Sequence, residues 1–188
     1  MTAIYFHSFS IPTTLHSYSN AIASLPYSFF HSIRRRYHIG QTGYLFTNPN
    51  KGSWGALLNP ANSRVCIRTL LIAITNFSTY ASLHASISFN AYPSGHKLLS
   101  PHIATLRSIN PIRPYASVLY NPTGNLTIGQ SHLEETVFPY TISASITETP
   151  LTLMPGEIIT IYLRNHTSSS RSQISFGWYE EALPTYSR

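Results

Sequence analysis

The chain has 188 residues, of which 43% are hydrophobic and only 10% are charged, against about 25% in an average soluble domain. All six acidic residues are Glu, the net charge is +6, and the only basic run is Arg34, Arg35 and Arg36. Nucleic-acid-binding proteins carry denser basic stripes, and no apolar stretch approaches the roughly 18 residues of a membrane-spanning helix. Both classes are therefore disfavoured. A charge-poor surface rich in Ser, Thr and Tyr is typical of a protein whose surface is covered by neighbouring subunits in an assembly.

Residues 1–36 differ from the rest, and we call them the arm. Here an aromatic or His residue repeatedly stands beside Ser, and Pro12 and Pro26 divide the segment into short pieces. The arm is too apolar for a solvated tail. An extended arm of this kind can add a strand to the sheet of a neighbouring subunit; packing on its own domain is the alternative. The expected anchors of the arm are Phe6, Phe9, Tyr18, Phe29 and Phe30.

The N-terminus lacks the pattern of a secretory signal peptide. No Lys or Arg precedes its apolar residues, and the three arginines follow them. We therefore expect assembly without Sec-type export. Cys66 is the only cysteine and lies in an apolar run, so we expect a small buried residue. An intermolecular disulfide is the alternative.

From Tyr37 onward, short apolar runs alternate with Gly, Pro and Asn, which is typical of an all-β fold. Residues 54–60 predict a Trp–Gly corner and an Asn–Pro turn. The β-branched run over residues 65–77 predicts a strand that is buried on both faces. Residues 83–91 alternate between apolar and polar, which predicts a half-buried strand. A buried strand is predicted over residues 158–163, and a half-buried one over residues 174–179.

Other short strands are predicted over residues 44–47, 115–120, 126–128, 136–140 and 142–146. Three prolines make residues 101–114 irregular, since proline cannot donate to a sheet ladder. Pro155 followed by Gly156 suits the centre of a type II turn. Around eight short strands predict a single jelly-roll or β-sandwich domain over residues 37–184, behind the arm and before a short tail, residues 185–188.

Four stretches, residues 37–42, 54–60, 74–78 and 176–180, resemble in order and spacing a family of small uncharacterised proteins from endospore-forming bacteria. More loosely, one jelly-roll domain behind an N-terminal connector is similar to the subunits of endospore appendages, which are pilus-like fibres. The resemblance implies a β-sandwich that polymerises at an extracellular or spore surface, and it implies no enzyme activity. The absence of an N-terminal Cys departs from appendage subunits that cross-link by disulfides. The residues of this motif are Trp54, Gly55, Asn59, Pro60, Phe176, Gly177 and Trp178.

Nine His residues raise the question of a metal site. None forms an HxH or HxxxH pair, and the chain has no Asp. A metal site in a jelly roll needs His and Glu on facing strands, and only His84, His132 and Glu134 are placed to provide them. We expect solvated or hydrogen-bonded His residues, with no metal and no cofactor.

Hydrolytic chemistry has little support in the sequence. There is no G-x-S-x-G elbow, and the two Glu pairs, residues 134–135 and 180–181, are sequence neighbours that we expect to be surface charge. We therefore expect no enzyme activity. Trp54 and Trp178 could form a sugar-stacking platform, but buried tryptophans that anchor the sandwich are the favoured interpretation.

The favoured hypothesis is a self-assembling structural protein whose main partner is another copy of itself, with a spore-surface anchor protein as a further partner. Two alternatives stay open. In a viral-type capsid protein, Arg34, Arg35 and Arg36 would contact nucleic acid, although small RNA capsids usually carry far more basic residues and binding would depend on salt. In a carbohydrate-binding module, Trp54 or Trp178 would stack on a sugar.

Overall fold

The computed structural model describes residues 37–105, 113–124 and 133–183, without the side chains of residues 145–150. These residues form twelve strands and no helix, so none of the described elements is a helix that could cross a membrane. The strands are β1 (Tyr37–Gln41), β2 (Leu45–Thr47), β3 (Ser53–Leu58), β4 (Val65–Asn76), β5 (Leu83–Phe89), β6 (Leu98–Leu99), β7 (Ile103–Thr105), β8 (Ser117–Asn121), β9 (Leu133–Val137), β10 (Ile142–Leu153), β11 (Ile158–Arg164) and β12 (Ser170–Ala182).

The strands form two antiparallel sheets that pack face to face. The first has the order β10-β4-β12-β1-β7, with β2 added beside β12, and the second has the order β6-β8-β3-β11-β5-β9. Side chains from both sheets make one core, with Ile74 and Phe176 from the first sheet against Leu57 and Ile161 from the second. The predicted all-β sandwich is confirmed, whereas the jelly-roll connectivity stays a prediction.

Several predicted strands are confirmed, among them β4, β5, β11 and β12, but β5 is not half-buried as predicted, because Ser86 and Ser88 are buried as well. The corner predicted at residues 54–60 is wrong in part, because Trp54 to Leu58 continue β3 and the turn begins only at Asn59. Residues 101–114 were expected to be irregular but contain β7, which lies at the end of the first sheet, where proline neighbours are tolerated. The count of described strands exceeds eight because four of them were not predicted, β1, β3, β6 and β7, and of these β6 and β7 are too short to show a period.

Strand β4 was predicted to be buried on both faces, and this holds only for its first half, at residues 65–67 and 69–70. From Leu71 onward the outward-facing side chains are partly exposed, while Ile72 and Ile74 point into the core. The β-branched run therefore predicted the strand correctly but predicted too much burial for its outer face. β-Branched residues favour strands whether or not both faces are buried.

Asn59 and Gly156 hold the turns at one end of the sandwich. The Asn59 amide donates to the carbonyls of Val65 and Leu153, at 3.0 and 2.9 Å, and so ties the β3–β4 turn to the end of β10. In the next turn Gly156 has φ +90°, and the Glu157 amide donates to the Met154 carbonyl. This matches the predicted type II turn, in which the third residue needs positive φ.

Both tryptophans are fully buried, which confirms them as anchors of the sandwich. Trp178 lies in the core, where its ring packs against Gly40. Trp54 lies on the outer face of the second sheet, in a cluster with Ala56, Ile158 and Tyr162. Residues 91–97 run across this face, where the carbonyl of Ala91 accepts from Thr160 Oγ1 at 2.8 Å and that of His96 from Asn121 Nδ2 at 3.0 Å.

Candidate functional site

An apolar cavity of about 230 Å³ opens between the two sheets along one side of the sandwich. We call it the inter-sheet groove. It lies where β10 ends the first sheet and β9 ends the second, so two described edge strands flank its mouth. Edge strands present backbone groups that can pair with another chain. Its lining residues are Thr69, Leu70, Ile72, Ile74, Ile87, Phe89, Leu133, Glu135, Ser143 and Leu151.

The alternation of β9 and β10 places polar and apolar side chains at the mouth. Leu133 pairs with Ile87, so it faces the other sheet, and it remains 55% exposed. Ser143 pairs with Ile74 and also faces inward, where its hydroxyl hydrogen-bonds to the carboxylate of Glu135. This contact joins the two edge strands across the mouth. An inward-pointing charge on an edge strand also discourages uncontrolled pairing.

Thr69 gives the floor of the groove one polar group. Its side chain is 1% exposed, and no described residue hydrogen-bonds to its Oγ1. An unpaired buried hydroxyl costs about 1–3 kcal/mol. As far as its described lining goes, the groove is mostly apolar and contains one buried hydroxyl that no described residue satisfies.

A second surface, which we call the aromatic end, lies at the end of the sandwich where the loops after β4, β9 and β11 meet. The exposed side chains of Tyr80 and Tyr140 dominate it, at 92% and 70%. Contiguous apolar patches of this kind mark interaction sites. The aromatic end consists of Tyr44, Phe46, Phe77, Tyr80, Phe138 and Tyr140.

Buried Asn76 organises the aromatic end from below. Its amide nitrogen lies 2.7 Å from the carbonyl of Ala81 and 3.2 Å from those of Val137 and Phe138. The Tyr140 amide in turn donates to the carbonyl of Ser78. One side chain therefore fixes two loops to each other.

Arg171 stacks on two rings at the same end. Its guanidinium carbon lies 4.8 Å from the centroid of Tyr44 and 5.4 Å from that of Phe77, and these two rings meet edge to face at 5.8 Å. The stacking holds both rings in place and shields the positive charge within an aromatic surface.

Two of the three predicted metal candidates come together, but the described residues around them do not form a metal site. His84 and Glu134 line a small polar cavity on the outer face of the second sheet, together with Arg164 and His166. The rings of His84 and His166 lie 5.6 Å apart, and the described residues contain no group of three potential ligands that could hold a metal. His132 lies outside the described residues. The expectation of no metal stays a prediction.

The Glu pair at residues 180–181 was predicted to be surface charge, and for Glu180 this is wrong. Its carboxylate is 9% exposed and accepts from the amides of Tyr115 and Ala116, at 3.1 and 3.0 Å, and from the indole of Trp178 at 3.3 Å. Three donors compensate the buried charge. Glu181 behaves as predicted, since it forms a partly exposed ion pair with Arg68 at 3.2 Å.

His38 belongs to the same buried cluster as Glu180. Its Nδ1 lies 2.9 Å from Thr105 Oγ1, and its ring lies 5.6 Å from that of Trp178. Burial lowers the pKa of His38, and the Glu180 carboxylate opposes this by raising it. The cluster links β1, β7 and β12, and it ties residues 115–116 to the first sheet.

Some of the other predicted site residues lie in described strands, and others lie outside the described residues. The motif residues Trp54, Gly55 and Asn59 belong to β3 and its turn, and Phe176, Gly177 and Trp178 lie in β12. Since neither Trp ring is exposed, neither offers the stacking surface that the carbohydrate-binding alternative requires. Cys66 is buried as expected. Outside the described residues lie the five arm anchors Phe6, Phe9, Tyr18, Phe29 and Phe30 and the basic run Arg34, Arg35 and Arg36.

A family model described as "Family of unknown function (DUF6143)" matches residues 10–185. The chain belongs to this family. The match includes residues 10–36, so most of the arm is part of the sequence pattern that defines DUF6143. No curated protein and no solved structure matches the chain.

Sequence reasoning missed the groove and the aromatic end. The groove needs the register of β9 against β5 and of β10 against β4, which no local pattern provides. The aromatic end left a weak signal, because Phe77, Tyr80, Phe138 and Tyr140 stand in or beside turn residues. Large aromatic residues in exposed turns are unusual unless something covers them.

Proposed function

We propose that this DUF6143 protein is a non-catalytic, self-assembling structural subunit, in which the arm of one copy docks in the inter-sheet groove of the next. The observation that carries the proposal is the groove itself, an apolar channel flanked by the edge strands β9 and β10. Strand addition at such an edge gains affinity from backbone hydrogen bonds and specificity from side-chain pockets.

The composition of the arm matches the groove. An aromatic ring beside a hydroxyl is the repeated theme of residues 5–10 and 27–32. A cavity of about 230 Å³ is large enough for one aromatic ring, since an apolar cavity of about 150 Å³ binds benzene. A neighbouring Ser of the arm would pair with the unsatisfied Oγ1 of Thr69.

The reach of the arm permits docking on another subunit. Thirty-six residues precede β1, and a fully extended segment of that length spans up to roughly 120 Å. The longest strand, β12, has 13 residues and is roughly 40 Å long. The arm is therefore longer than the body it has to cross.

The setting we propose is a filament or appendage at an extracellular or spore surface. It is supported by the resemblance in sequence to proteins of endospore-forming bacteria. The low charge of the chain supports assembly more generally, because interface cores are depleted in charged residues and enriched in Tyr, Phe and Arg.

The test compares the full chain with a variant that lacks residues 1–30. The ladders and the core are formed by residues 37–183, so the shortened protein retains every described strand. We expect fibres from the full chain in electron micrographs, and a folded, non-assembling body without the arm. A synthetic peptide of residues 1–36 should then bind that body.

Two matched variants of the shortened protein locate the binding site. Leu133→Arg puts a charge at the mouth of the groove and should weaken peptide binding at least tenfold, because the charge would be desolvated by the docked arm. Leu99→Arg changes an equally exposed leucine on β6, away from the groove, and should leave binding unchanged. Unchanged fibres without the arm, or equal binding to both variants, would refute the proposal.

A further inference from the structure

The aromatic end exposes enough apolar surface for an interface of its own. An aromatic side chain carries about 150–250 Å², and five of the six rings are about half exposed or more. Together they present on the order of 600 Å², close to the contribution of one partner to a standard protein–protein interface. A surface of Tyr and Phe around one stacked arginine also has the composition of interface hot spots.

The shape of the aromatic end is fixed before any partner binds. Tyr140 has φ +51°, a left-handed conformation that a bulky residue rarely adopts, and its ring is nevertheless the tip of the loop. The carbonyl of Phe138 holds the loop through Asn76 and through Thr141 Oγ1, at 2.7 Å. Backbone strain that the surroundings enforce tends to occur at functional sites.

In the part of the chain that the structure describes, the opposite end of the sandwich is concave. A cavity of about 850 Å³ lies there, between the β3–β4 turn, strand β7 and residues 113–117. Its lining includes three prolines and Tyr115 together with the charged Arg113, and this volume admits more than one aromatic side chain. The residues that shape it are Pro60, Pro101, Ile103, Pro114, Tyr115 and Ser117.

The residue to which the arm is joined, Tyr37, lies at this concave end. Tyr37, the first residue of β1, pairs with Tyr179 near the end of β12, whereas the aromatic end lies beside Ser170 to Ser172 at its start. An arm that reaches the groove of the next copy therefore brings its own concave end towards that copy. On that next copy, the large exposed apolar surface at the end opposite its own concave end is the aromatic end.

We propose that the aromatic end of one copy inserts into the concave end of the next, so that the bodies stack head to tail. This inference rests on the proposed function, and it names a second contact that is separate from arm docking. Because the two surfaces differ, the contact is heterologous, and a heterologous contact that does not close into a ring extends into a filament.

The test uses the full chain with Tyr80→Ser and Tyr140→Asn. Asn accepts left-handed φ more readily than Tyr, so the double variant should melt no lower than the parent. We expect mean filament length in electron micrographs to fall at least tenfold. Tyr92→Ser is the control, since it removes an exposed tyrosine that lies outside the aromatic end, in the loop after β5.

A variant on the other surface completes the test. Asn62→Trp fills the concave end from an exposed position and should shorten filaments to a similar extent. The same substitutions in the protein without residues 1–30 should bind the arm peptide with unchanged affinity. Filaments of normal length from either variant would overturn the head-to-tail contact. If the arm peptide does not bind to the protein that lacks residues 1–30 and carries no other change, the proposed function is overturned instead.

Discussion

The side-chain amide of Asn76 lies 3.2 Å from the backbone carbonyl of Phe138, sixty-two residues along the chain. Strand β4 thereby fixes the loop that carries Phe138 and Tyr140. The exposed rings of the aromatic end owe their positions to a buried polar group, and the stability of the fold and the shape of this surface are coupled through it.

Replacing Asn76 with Ala should lower the free energy of unfolding by about 2–3 kcal/mol, because it leaves the carbonyls of Ala81, Val137 and Phe138 without their shared donor. Urea denaturation measures the change. Hydrogen exchange should also quicken at residues 77–82 and 138–141. The control is Asn50→Ala at an exposed turn; equal stability of the two variants would contradict this role.

Stability should depend on pH through His38. Burial holds the pKa of His38 below its ordinary value of 6.5. As the pH falls below about 6.5, His38 therefore becomes protonated in the unfolded chain while it stays neutral in the folded chain. This contribution is therefore present above 6.5 and is lost as the pH falls towards the pKa of the folded state.

Thermal melting of the parent and of His38→Gln between pH 7.5 and pH 5 tests this. The difference between the two proteins isolates His38 from the other histidines. We expect the parent to lose more stability on acidification than the variant does. Parallel pH profiles would show that His38 does not contribute.

Gly40 is required because Trp178 and Val118 occupy the space of a side chain. A Cβ at Gly40 would lie 2.7 Å from Val118 Cγ2 and 3.0 Å from the indole ring. Gly40→Ala should therefore destabilise the fold by about 1–3 kcal/mol, as overpacked cores do. Gly95→Asn is the control, since open space surrounds Gly95 and Asn tolerates its φ of +83° better than other side chains do. A neutral effect of Gly40→Ala in urea denaturation would show that the core relaxes freely.

Cys66 should stay reduced in the native protein. It is buried, and its Sγ lies 3.9 Å from Glu181 Oε2, so a reagent or a second thiol reaches the sulfur only with difficulty. A maleimide reagent should label the denatured protein fully and the native protein at least tenfold more slowly. A disulfide-linked dimer on a non-reducing gel would contradict this expectation and favour cross-linked assembly.

Much of the sandwich could be predicted from the sequence, because its main strands carry strong local patterns. The runs that became β4, β5, β11 and β12 were identified by β-branched residues and alternation. Strand β3 was missed because Gly55 interrupts the pattern, although that glycine only makes room for Thr42 and Ile174 of the facing sheet. Such a requirement depends on tertiary packing and leaves no local signal.

The candidate sites were harder to predict, for a related reason. Glu180 looks like surface charge beside Glu181, and only the fold brings the amides of Tyr115 and Ala116 to it. The groove likewise forms from residues more than 60 positions apart, such as Thr69 and Leu133. Composition indicated that the surface is suited to being covered, but only the register of the sheets shows where.

The docking of the arm on a neighbouring copy is tested most directly by mixing two variants, each of which lacks one of the two contact surfaces. Full-length Leu133→Arg has an arm but a blocked groove, and the protein without residues 1–30 has a groove but no arm. With Tyr80→Ser and Tyr140→Asn added to both proteins to remove the head-to-tail contact, analytical ultracentrifugation should show that neither assembles alone and that the mixture forms a 1:1 complex. If the mixture sediments as two separate monomers while the parent protein assembles, the arm does not dock in the groove of a neighbour.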